Sequence, residues 1–398
     1  MQKKLIALAV AGLASTGAFA QSNVTVYGVA DATFDVVRAS NVKDGYDLGN
    51  TNRVSSNSSY IGFKGAEALG NGLTAVFQLE SGVDFAAGGN SLATRDTFVG
   101  VAGGFGTVVL GNLTGPTRAL GGAIDVNSGA TGIGTNGGLI GKLGNNLTAN
   151  KAGGTDANGN LTVADCDRSS TCVSVFDQRW KNAVAYVSPS FAGLSATVAY
   201  VANENKAFHG ANGAVNTRGY DLGLKYANGP IMGAVTYNAV SIGDNGNTDV
   251  SNFRVGGSYN FGMASLRALF DHTRADHFGG AAGVGKYTQN VFGLGATYNV
   301  TPAGKLLAQA YFARDVKFNG SSDKDTGAKL FEVGYEHSLS KRTILKAVYA
   351  HLNNDNNANY DYGINSVGIA ASPAAAGAAA SGLGASLNGV QVGLRHSF

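Results

Sequence analysis

The residue types that most often carry out chemistry are sparse and scattered in this chain of 398 residues. Its six histidines form no cluster, and His272 and His277 are five positions apart, which is not a spacing of metal ligands. Two cysteines are too few for a Cys-ligated zinc or iron–sulfur site. The sequence also contains no Gly-x-Ser-x-Gly nucleophile motif and no phosphate-binding loop. It therefore predicts a protein without enzymatic activity, metal or cofactor.

The charge balance and composition of the chain exclude further classes of protein. It has 29 basic and 26 acidic residues, a net charge of +3, which is too small for a protein that must neutralise many nucleic-acid phosphates. Charged residues make up only 14% of the sequence, and glycine reaches 59 residues, about twice the usual ~7%. What remains is a large, nearly neutral chain rich in glycine, with 44% hydrophobic residues.

The first twenty residues resemble an export signal. Lys3 and Lys4 precede the apolar stretch Leu5–Leu13, and Ala18-Phe19-Ala20 matches a signal-peptidase site. We expect residues 1–20 to be a cleaved signal peptide and residues 21–398 to be the mature chain. Since exported proteins fold under oxidising conditions, Cys166 and Cys172, with five residues between them, are predicted to form a disulfide.

Strict alternation of apolar and polar residues recurs along the mature chain. In Leu73–Glu80, for example, Ala75, Phe77 and Leu79 share one parity, whereas Thr74, Gln78 and Glu80 share the other. Period two is typical of a strand between two different environments. Sixteen such segments occur, with cores near 23–35, 54–65, 72–83, 94–102, 106–113, 179–188, 193–201, 218–227, 231–240, 252–261, 264–274, 289–300, 304–315, 329–339, 343–352 and 387–398.

The connections between these segments alternate between short turns and long polar loops, as in an outer-membrane barrel. The polar faces carry too many charges for a dry core, which argues against a soluble β-sandwich. A water-filled lumen accepts those charges, and lipid accepts the apolar faces. The sequence therefore predicts an all-β fold, a 16-stranded antiparallel transmembrane β-barrel.

Several stretches in chain order resemble the general porins of Gram-negative bacteria, in particular the trimeric sixteen-stranded type of beta-proteobacteria. They are Val24–Asp31, Ser59–Gly65, Gly72–Glu80, Arg95–Gly100, Gly104–Gly111 and Val392–Phe398. The resemblance implies a homotrimer in the outer membrane, surrounded by lipids that include lipopolysaccharide, which passes small hydrophilic solutes and ions. It also implies a third extracellular loop, here Thr114–Gln178, that folds into the lumen and faces a basic ladder on the wall.

The chain departs from the family pattern at two wall positions, where Tyr60 and Asn112 stand in place of arginines. Arg95 shares a parity with Thr97 and Val99, opposite Phe98, and is expected to face the lumen.

Further candidate pore-lining residues come from the other strands and from the loop. Arg179 and Lys181 share a parity opposite Trp180 and Val184, and are also expected to face inward. Lys64 lies on a polar strand face, and Arg118 and Asp125 are the first charges of the long loop.

The polar strand faces as a whole predict a weak preference for anions. They also carry Lys225, Arg267, Lys305 and Lys346, with Glu80 and Asp221 as the main acids. Three other functions stay open at this stage: a substrate-specific porin, an outer-membrane barrel hydrolase, and an adhesin whose long loops are the functional part.

Overall fold

A single closed barrel is formed by the described part of the chain. The computed structural model describes residues 23–43, 47, 49–86, 88, 92–144, 174–202, 206–208, 214–242, 248–280, 283–369 and 382–398. Within them, β-segments join into a closed 16-stranded antiparallel barrel, which confirms the predicted fold. The first strand closes the barrel by pairing with both the third and the last segments.

The β-segments of the described residues are numbered in chain order. They are β1 (Asn23–Ser40), β2 (Thr51–Ser56), β3 (Tyr60–Gly70), β4 (Leu73–Gly82), β5 (Thr97–Gly103), β6 (Gly106–Thr114), β7 (Arg179–Val187), β8 (Leu194–Val201), β9 (Lys206–Phe208), β10 (Ala214–Asn228), β11 (Ile231–Ile242), β12 (Thr248–Asn260), β13 (Ala264–Gly280), β14 (Gly283–Asn299), β15 (Gly304–Ala313), β16 (Lys317–Phe318), β17 (Ser321–Ser322), β18 (Ala328–Ser338), β19 (Thr343–Asn354) and β20 (Ser386–Ser397).

Several segments share one wall strand. Both β2 and β3 pair with β1 and are separated only by residues 57–59. The short β9 continues β8 along β10, and β16 continues β15 along β14. The two-residue β17 pairs with β16. All neighbouring wall strands are antiparallel, so their connections alternate between two ends of the barrel.

The two ends of the barrel differ. At one, here called the turn end, strands are joined by short connections such as Asn228–Ile231 and Gly103–Gly106. At the other, the loop end, β6 and β7 are separated by 64 residues, from 115 to 178. The described part of that connection contains the helix α1 (Pro116–Ile124) and the 3₁₀ turn Asn136–Gly138. None of the described helices is both long and apolar enough to cross a bilayer.

The two faces of the barrel wall separate by polarity, as the alternation predicts. Large apolar side chains such as Leu79, Val99 and Leu110 are exposed on the outer face. Asp31, Asp35 and many other polar residues belong to the inner face and are fully buried. They are buried because segments from the loop end fill much of the lumen. The hydrogen-bonded closure of the wall and its apolar exterior suit a hydrocarbon environment.

Candidate functional site: the lumen and its inward loops

The helix α1 (Pro116–Ile124) lies inside the barrel, against glycines of the wall. Proline in its first turn is favoured because that position needs no N–H donor. A Cβ added to Gly223 of β10 would come 2.4 Å from Pro116, and one added to Gly256 of β12 would come 2.9 Å from Ile124. Only glycine therefore allows the helix to lie this close to the wall. The described part of the long loop thus folds into the lumen, as the family resemblance implied.

A buried carboxylate of the wall holds the start of this helix. Asp221 of β10 accepts hydrogen bonds from the Thr117 hydroxyl at 2.6 Å, the Thr117 N–H at 3.3 Å and the Trp180 indole at 3.0 Å. A carboxylate at a helix N-terminus is favoured because it satisfies free N–H groups and complements the helix dipole. Asp221 therefore seats the loop instead of acting as a free acid of the pore.

Arg254 of β12 forms a second anchor, which the sequence analysis did not identify. Its guanidinium donates to both carboxylate oxygens of Asp177 at 2.7 and 2.9 Å, to Asp271 at 2.7 Å and to the Thr117 carbonyl at 2.9 Å. Arg254 and Asp271 are fully buried. This arrangement ties both ends of the inward loop to two wall strands, with charge-assisted bonds in the bidentate geometry that arginine favours.

Arg95 lies on the inner face just before β5. Its guanidinium carbon lies 4.4 Å from the centre of the Tyr60 ring, and its Nε lies 3.4 Å from a carboxylate oxygen of Glu80. The Asn112 amide donates to the Arg95 carbonyl at 2.8 Å. Tyr60 and Asn112, which stand in place of arginines of the family pattern, therefore both contact Arg95.

Arg95, Arg118 and Arg179 are close enough to interact electrostatically, and we call them the arginine cluster. Arg179 pairs with Asp96 at 3.4 Å, and Arg118 of α1 donates to the Asp177 carbonyl. Burial, and secondarily the charge of Arg179, lower the pKa of Arg118 to about 10, so it stays charged at neutral pH. The structure thus brings together three of the predicted site residues.

A row of alternating cations and rings continues from this cluster along the inner wall. Lys64 of β3 lies with its Nζ 4.8 Å from the centre of the Tyr27 ring. Tyr27 in turn packs edge-on against Tyr60, with ring centres 6.1 Å apart, and donates to Glu80 at 2.8 Å. Cation–π contacts of this kind fix the positions of the basic groups.

The predicted orientation of the start of β7 is wrong. Trp180, expected on the outer face with Val184, is buried inside against the wall carboxylate described above. Asn182 has a positive φ of 51°, and the register with β6 shifts at the same place. This bulge breaks the alternation within β7, so that Trp180 lies on the inner side and Lys181 on the outer side, while the long side chain of Arg179 at the start of the strand still reaches Asp96. Lys181, adjacent to Trp180, is accordingly exposed on the outer face and does not line the lumen.

The parity argument for Arg95 is also wrong, although its side chain lies inside. Val99, expected on the inner face, is 60% exposed and pairs with Phe77 on the outer face. Regular pairing of β5 with β4 stops at Phe98, and Ala93 has a positive φ of 61°. Arg95 lies in this irregular stretch, so its direction does not follow from strand parity.

Asp125, at the end of α1, belongs to a buried polar network and not to an open pore surface. It accepts hydrogen bonds from the N–H groups of Asn136 at 2.8 Å and Asn127 at 2.9 Å. The Asn127 amide also donates to Glu332 of β18 at 2.9 Å, and Gln309 donates to Glu332 at 2.6 Å. Burial raises the pKa of Asp125 above its usual range. The network fixes the middle of the inward loop to the wall.

A second segment from the loop end, residues 355–369, also enters the lumen and was not expected there. Lys142 of the long loop is fully buried and donates to the Asp361 carbonyl at 3.2 Å. The Tyr360 hydroxyl donates to Gln289 of β14 at 2.7 Å and accepts from the Gly144 N–H at 2.9 Å. Burial lowers the pKa of Lys142 to about 7. The two inward segments therefore brace each other.

The inner wall carries more acids than the sequence analysis counted, and also three further cations, Arg53, Arg254 and Arg395, so that many of its cations are paired and not free. Lys346, for example, pairs with Asp31 at 2.6 Å, and Arg395 pairs with the same carboxylate at 3.1 Å. Lys305 pairs with Glu336, and Arg267 donates to the Asp125 carbonyl. The buried acids of the wall that the sequence analysis did not count are Asp31, Asp35, Asp271, Glu332 and Glu336.

Toward the turn end the lumen is more open. Lys225 follows Asp221 and Gly223 on the inner parity of β10, and it is exposed. The inward segments therefore narrow the lumen on the loop side of a wider vestibule. Cys166 and Cys172 lie outside the described residues, so their disulfide stays a prediction.

Comparisons with known proteins agree with this architecture. Residues 7–357 match the family model of Gram-negative porins. The chain is 33% identical over 406 residues to outer membrane porin protein 32 of Delftia acidovorans, an alignment that covers 100% of both proteins. It is also 26% identical to an outer membrane porin of Bordetella pertussis, over 89% of this chain and 95% of that porin. The solved structure of an anion-selective porin from Comamonas acidovorans superimposes with a TM-score of 0.69 at 29% identity, over 95% of this chain and 100% of that porin. The chain therefore belongs to the Gram-negative porin family.

Proposed function

We propose that this outer-membrane porin is a non-specific diffusion channel, through which ions and small hydrophilic solutes pass along their gradients without catalysis. The observation that carries the proposal is a lumen narrowed by an inward loop that is fixed at several points of the wall. A fixed obstruction sets a size limit, whereas the charges beside it set the ion preference.

We further propose a weak preference for anions, set by the arginine cluster. Its three cations face the carboxylates of Glu80 and Asp96, and the third nearby acid, Asp177, is already paired with Arg254, which leaves the cluster a local excess of one positive charge. A fixed charge beside a narrow passage raises the local concentration of counter-ions. The similar Comamonas porin is described as anion-selective, which supports the same direction.

The zero-current potential across a KCl gradient in a planar bilayer tests this preference. Wild type is expected to show the sign of an anion-preferring channel, and Arg95→Ala is expected to move the potential toward cations. Lys181→Ala is the matched control, because it removes the same charge from the outer face. The anion preference of wild type and its shift in Arg95→Ala should both decrease toward 1 M salt, where the Debye length is ~3 Å. An equal shift in both variants, or none in Arg95→Ala, would contradict the proposal.

Assembly and export complete the proposal. We infer a homotrimer in a bilayer with lipopolysaccharide in its outer leaflet, and a mature chain, residues 21–398, formed by removal of residues 1–20. The trimer should migrate as one species in SDS until it is heated, and the mature protein should begin at Gln21. A monomer at all temperatures would refute the trimer, and an intact Met1 in outer-membrane protein would refute the cleavage.

A further inference from the structure

Two tyrosines and two cations alternate along the inner wall between β1 and β5. We call them the tyrosine strip, in the order Lys64, Tyr27, Tyr60 and Arg95. Tyr60, Gly62 and Lys64 share the inner parity of β3, and Tyr27 of β1 pairs with the glycine between the other two. A Cβ added to Gly62 would come 2.7 Å from Cζ of Tyr27, so only glycine leaves room for that ring. The backbone of the wall therefore fixes the order of rings and cations along the strip.

The contacts along the strip place each ring next to a cation. Nζ of Lys64 lies over the Tyr27 ring, 4.8 Å from its centre, and Cζ of Arg95 lies over the Tyr60 ring, 4.4 Å from its centre. The two ring centres are 6.1 Å apart, and the rings meet edge to face. All four side chains are half-buried, so part of each is open to the water of the lumen. The strip therefore offers a passing solute aromatic surface and positive charge side by side.

The strip lies beside the narrowed part of the lumen. Arg95 at one end belongs to the arginine cluster, in which Arg118 lies on the inward helix α1. On the other side, Arg395 of β20 is close enough to Tyr60 to interact with it electrostatically. A Cβ added to Gly129 of the long loop would come 2.7 Å from the Arg395 guanidinium. The inward loop therefore approaches the wall on both sides of Tyr60, and a solute that passes the loop comes close to this ring.

One cation of the strip is available to pair with a solute. Glu80, which lies beside both tyrosines, is buried and accepts hydrogen bonds from the Tyr27 hydroxyl at 2.8 Å and the Gln78 amide at 3.0 Å. Its carboxylate also pairs with Arg95 at 3.4 Å. Lys64, in contrast, forms no ion pair with any residue that the structure describes. A carboxylate of a solute can therefore bind the Lys64 ammonium without displacing an acidic partner.

We propose that the tyrosine strip is a transient binding subsite for small aromatic carboxylates, with the carboxylate on Lys64 and the planar ring against Tyr27 and Tyr60. The subsite rests on the proposed diffusion channel and names the class of solute that this channel holds longest. Aromatic pairs attract each other beyond the area they bury, which favours an aromatic ring over a saturated ring roughly two- to tenfold. Tyr60 stands in place of an arginine of the family pattern, so the second ring of the subsite is not part of that pattern.

The test compares how strongly potassium benzoate and potassium cyclohexanecarboxylate block the chloride current of the refolded protein in a planar bilayer. The two acids have the same charge and similar size, but only benzoate is aromatic. In wild type, half-block should need roughly two- to tenfold less benzoate. Tyr27→Leu/Tyr60→Leu should abolish this difference, whereas Tyr27→Phe/Tyr60→Phe keeps both rings and should retain it. The matched control is Tyr237→Leu, which removes an exposed tyrosine from the outer face and should also retain the difference.

A charge variant and the KCl conductance complete the experiment. Lys64→Gln should raise the half-blocking concentration of both acids by the same factor, up to about fivefold, because each carboxylate loses its cation. Tyr60→Leu alone should reduce the difference between the acids, which keeps the test valid if the double Leu variant forms no channels. With normal conductance in KCl, the subsite would be overturned by equal block from both acids in wild type, by a difference that survives loss of both rings, or by no effect of Lys64→Gln. Absence of any conductance in KCl would instead refute the diffusion channel itself.

Discussion

Replacement of Arg254 by alanine should release the inward loop while the barrel wall stays intact. The guanidinium makes four contacts between 2.7 and 2.9 Å, with Asp177, Asp271 and the Thr117 carbonyl. Its removal leaves two carboxylates without their cation in a buried site. Such a loss costs about 3–5 kcal/mol, which shifts the balance between seated and released loop by roughly 10²–10⁴. The backbone pairing of β12 with β11 and β13 does not depend on this side chain.

Single-channel recording combined with limited proteolysis measures this effect. Arg254→Ala should show larger open-channel noise and faster cleavage within the long loop than wild type, with unchanged heat resistance of the barrel. The matched control is Arg274→Ala, whose exposed pair with Asp276 should contribute less than about 1 kcal/mol.

A charge-removing rescue separates loss of the ion pairs from loss of packing. Arg254→Leu/Asp177→Asn/Asp271→Asn removes the cation together with both carboxylates, so no buried charge is left unpaired. Its loop should be seated more firmly than that of Arg254→Ala. The anchoring role of Arg254 would be refuted if Arg254→Ala showed the channel noise and cleavage rate of wild type. It would also be refuted if the triple variant were as noisy and as easily cleaved as Arg254→Ala.

Three further perturbations test the packing of α1, the buried lysine of the long loop and the predicted disulfide. Gly223→Ala should displace α1, because the new Cβ would come 2.4 Å from Pro116, and this overpacking should destabilise the seated loop by about 1–3 kcal/mol. In Gly233→Ala the nearest atom to the new Cβ is 3.9 Å away, so this control should be cleaved at the wild-type rate in the same proteolysis assay. Burial lowers the pKa of Lys142 to about 7 from its ordinary 10.5, so the seated loop favours the neutral amine. Loop noise should therefore rise as pH falls from about 10 to 7 and level off below 7, and Lys142→Met should be insensitive to pH. Cys166 and Cys172 should resist thiol labelling in unreduced, unfolded protein, and complete labelling would exclude their disulfide.

The strand architecture could be predicted because alternation reports the two environments of each strand directly. Leu79 faces outward and Glu80 inward, as their pattern indicates. Where a strand contains a bulge, however, this alternation no longer predicts which side chains face inward. The left-handed backbone of Asn182 reverses the faces of Trp180 and Lys181, and no feature of the alternation reveals one inserted residue.

The anchors of the inward loop could not be predicted for a different reason. Arg254 looks like any polar wall residue in the sequence, since its partners Asp177 and Asp271 are 77 and 17 positions away. The excess of glycine was visible, but its role at Gly223 and Gly256 depends on what lies against them. Two tyrosines around Asp361 were the one available signal that residues 355–369 pack inside.

A planar-bilayer recording of the wild-type trimer under a KCl gradient is the most direct test of the proposed diffusion channel. We expect discrete ohmic steps whose conductance grows with salt without saturating, and a zero-current potential with the sign of an anion-preferring pore that declines toward 1 M KCl. Absence of steps would contradict the diffusion channel itself. A clear cation preference would contradict the control of ion passage by the arginine cluster.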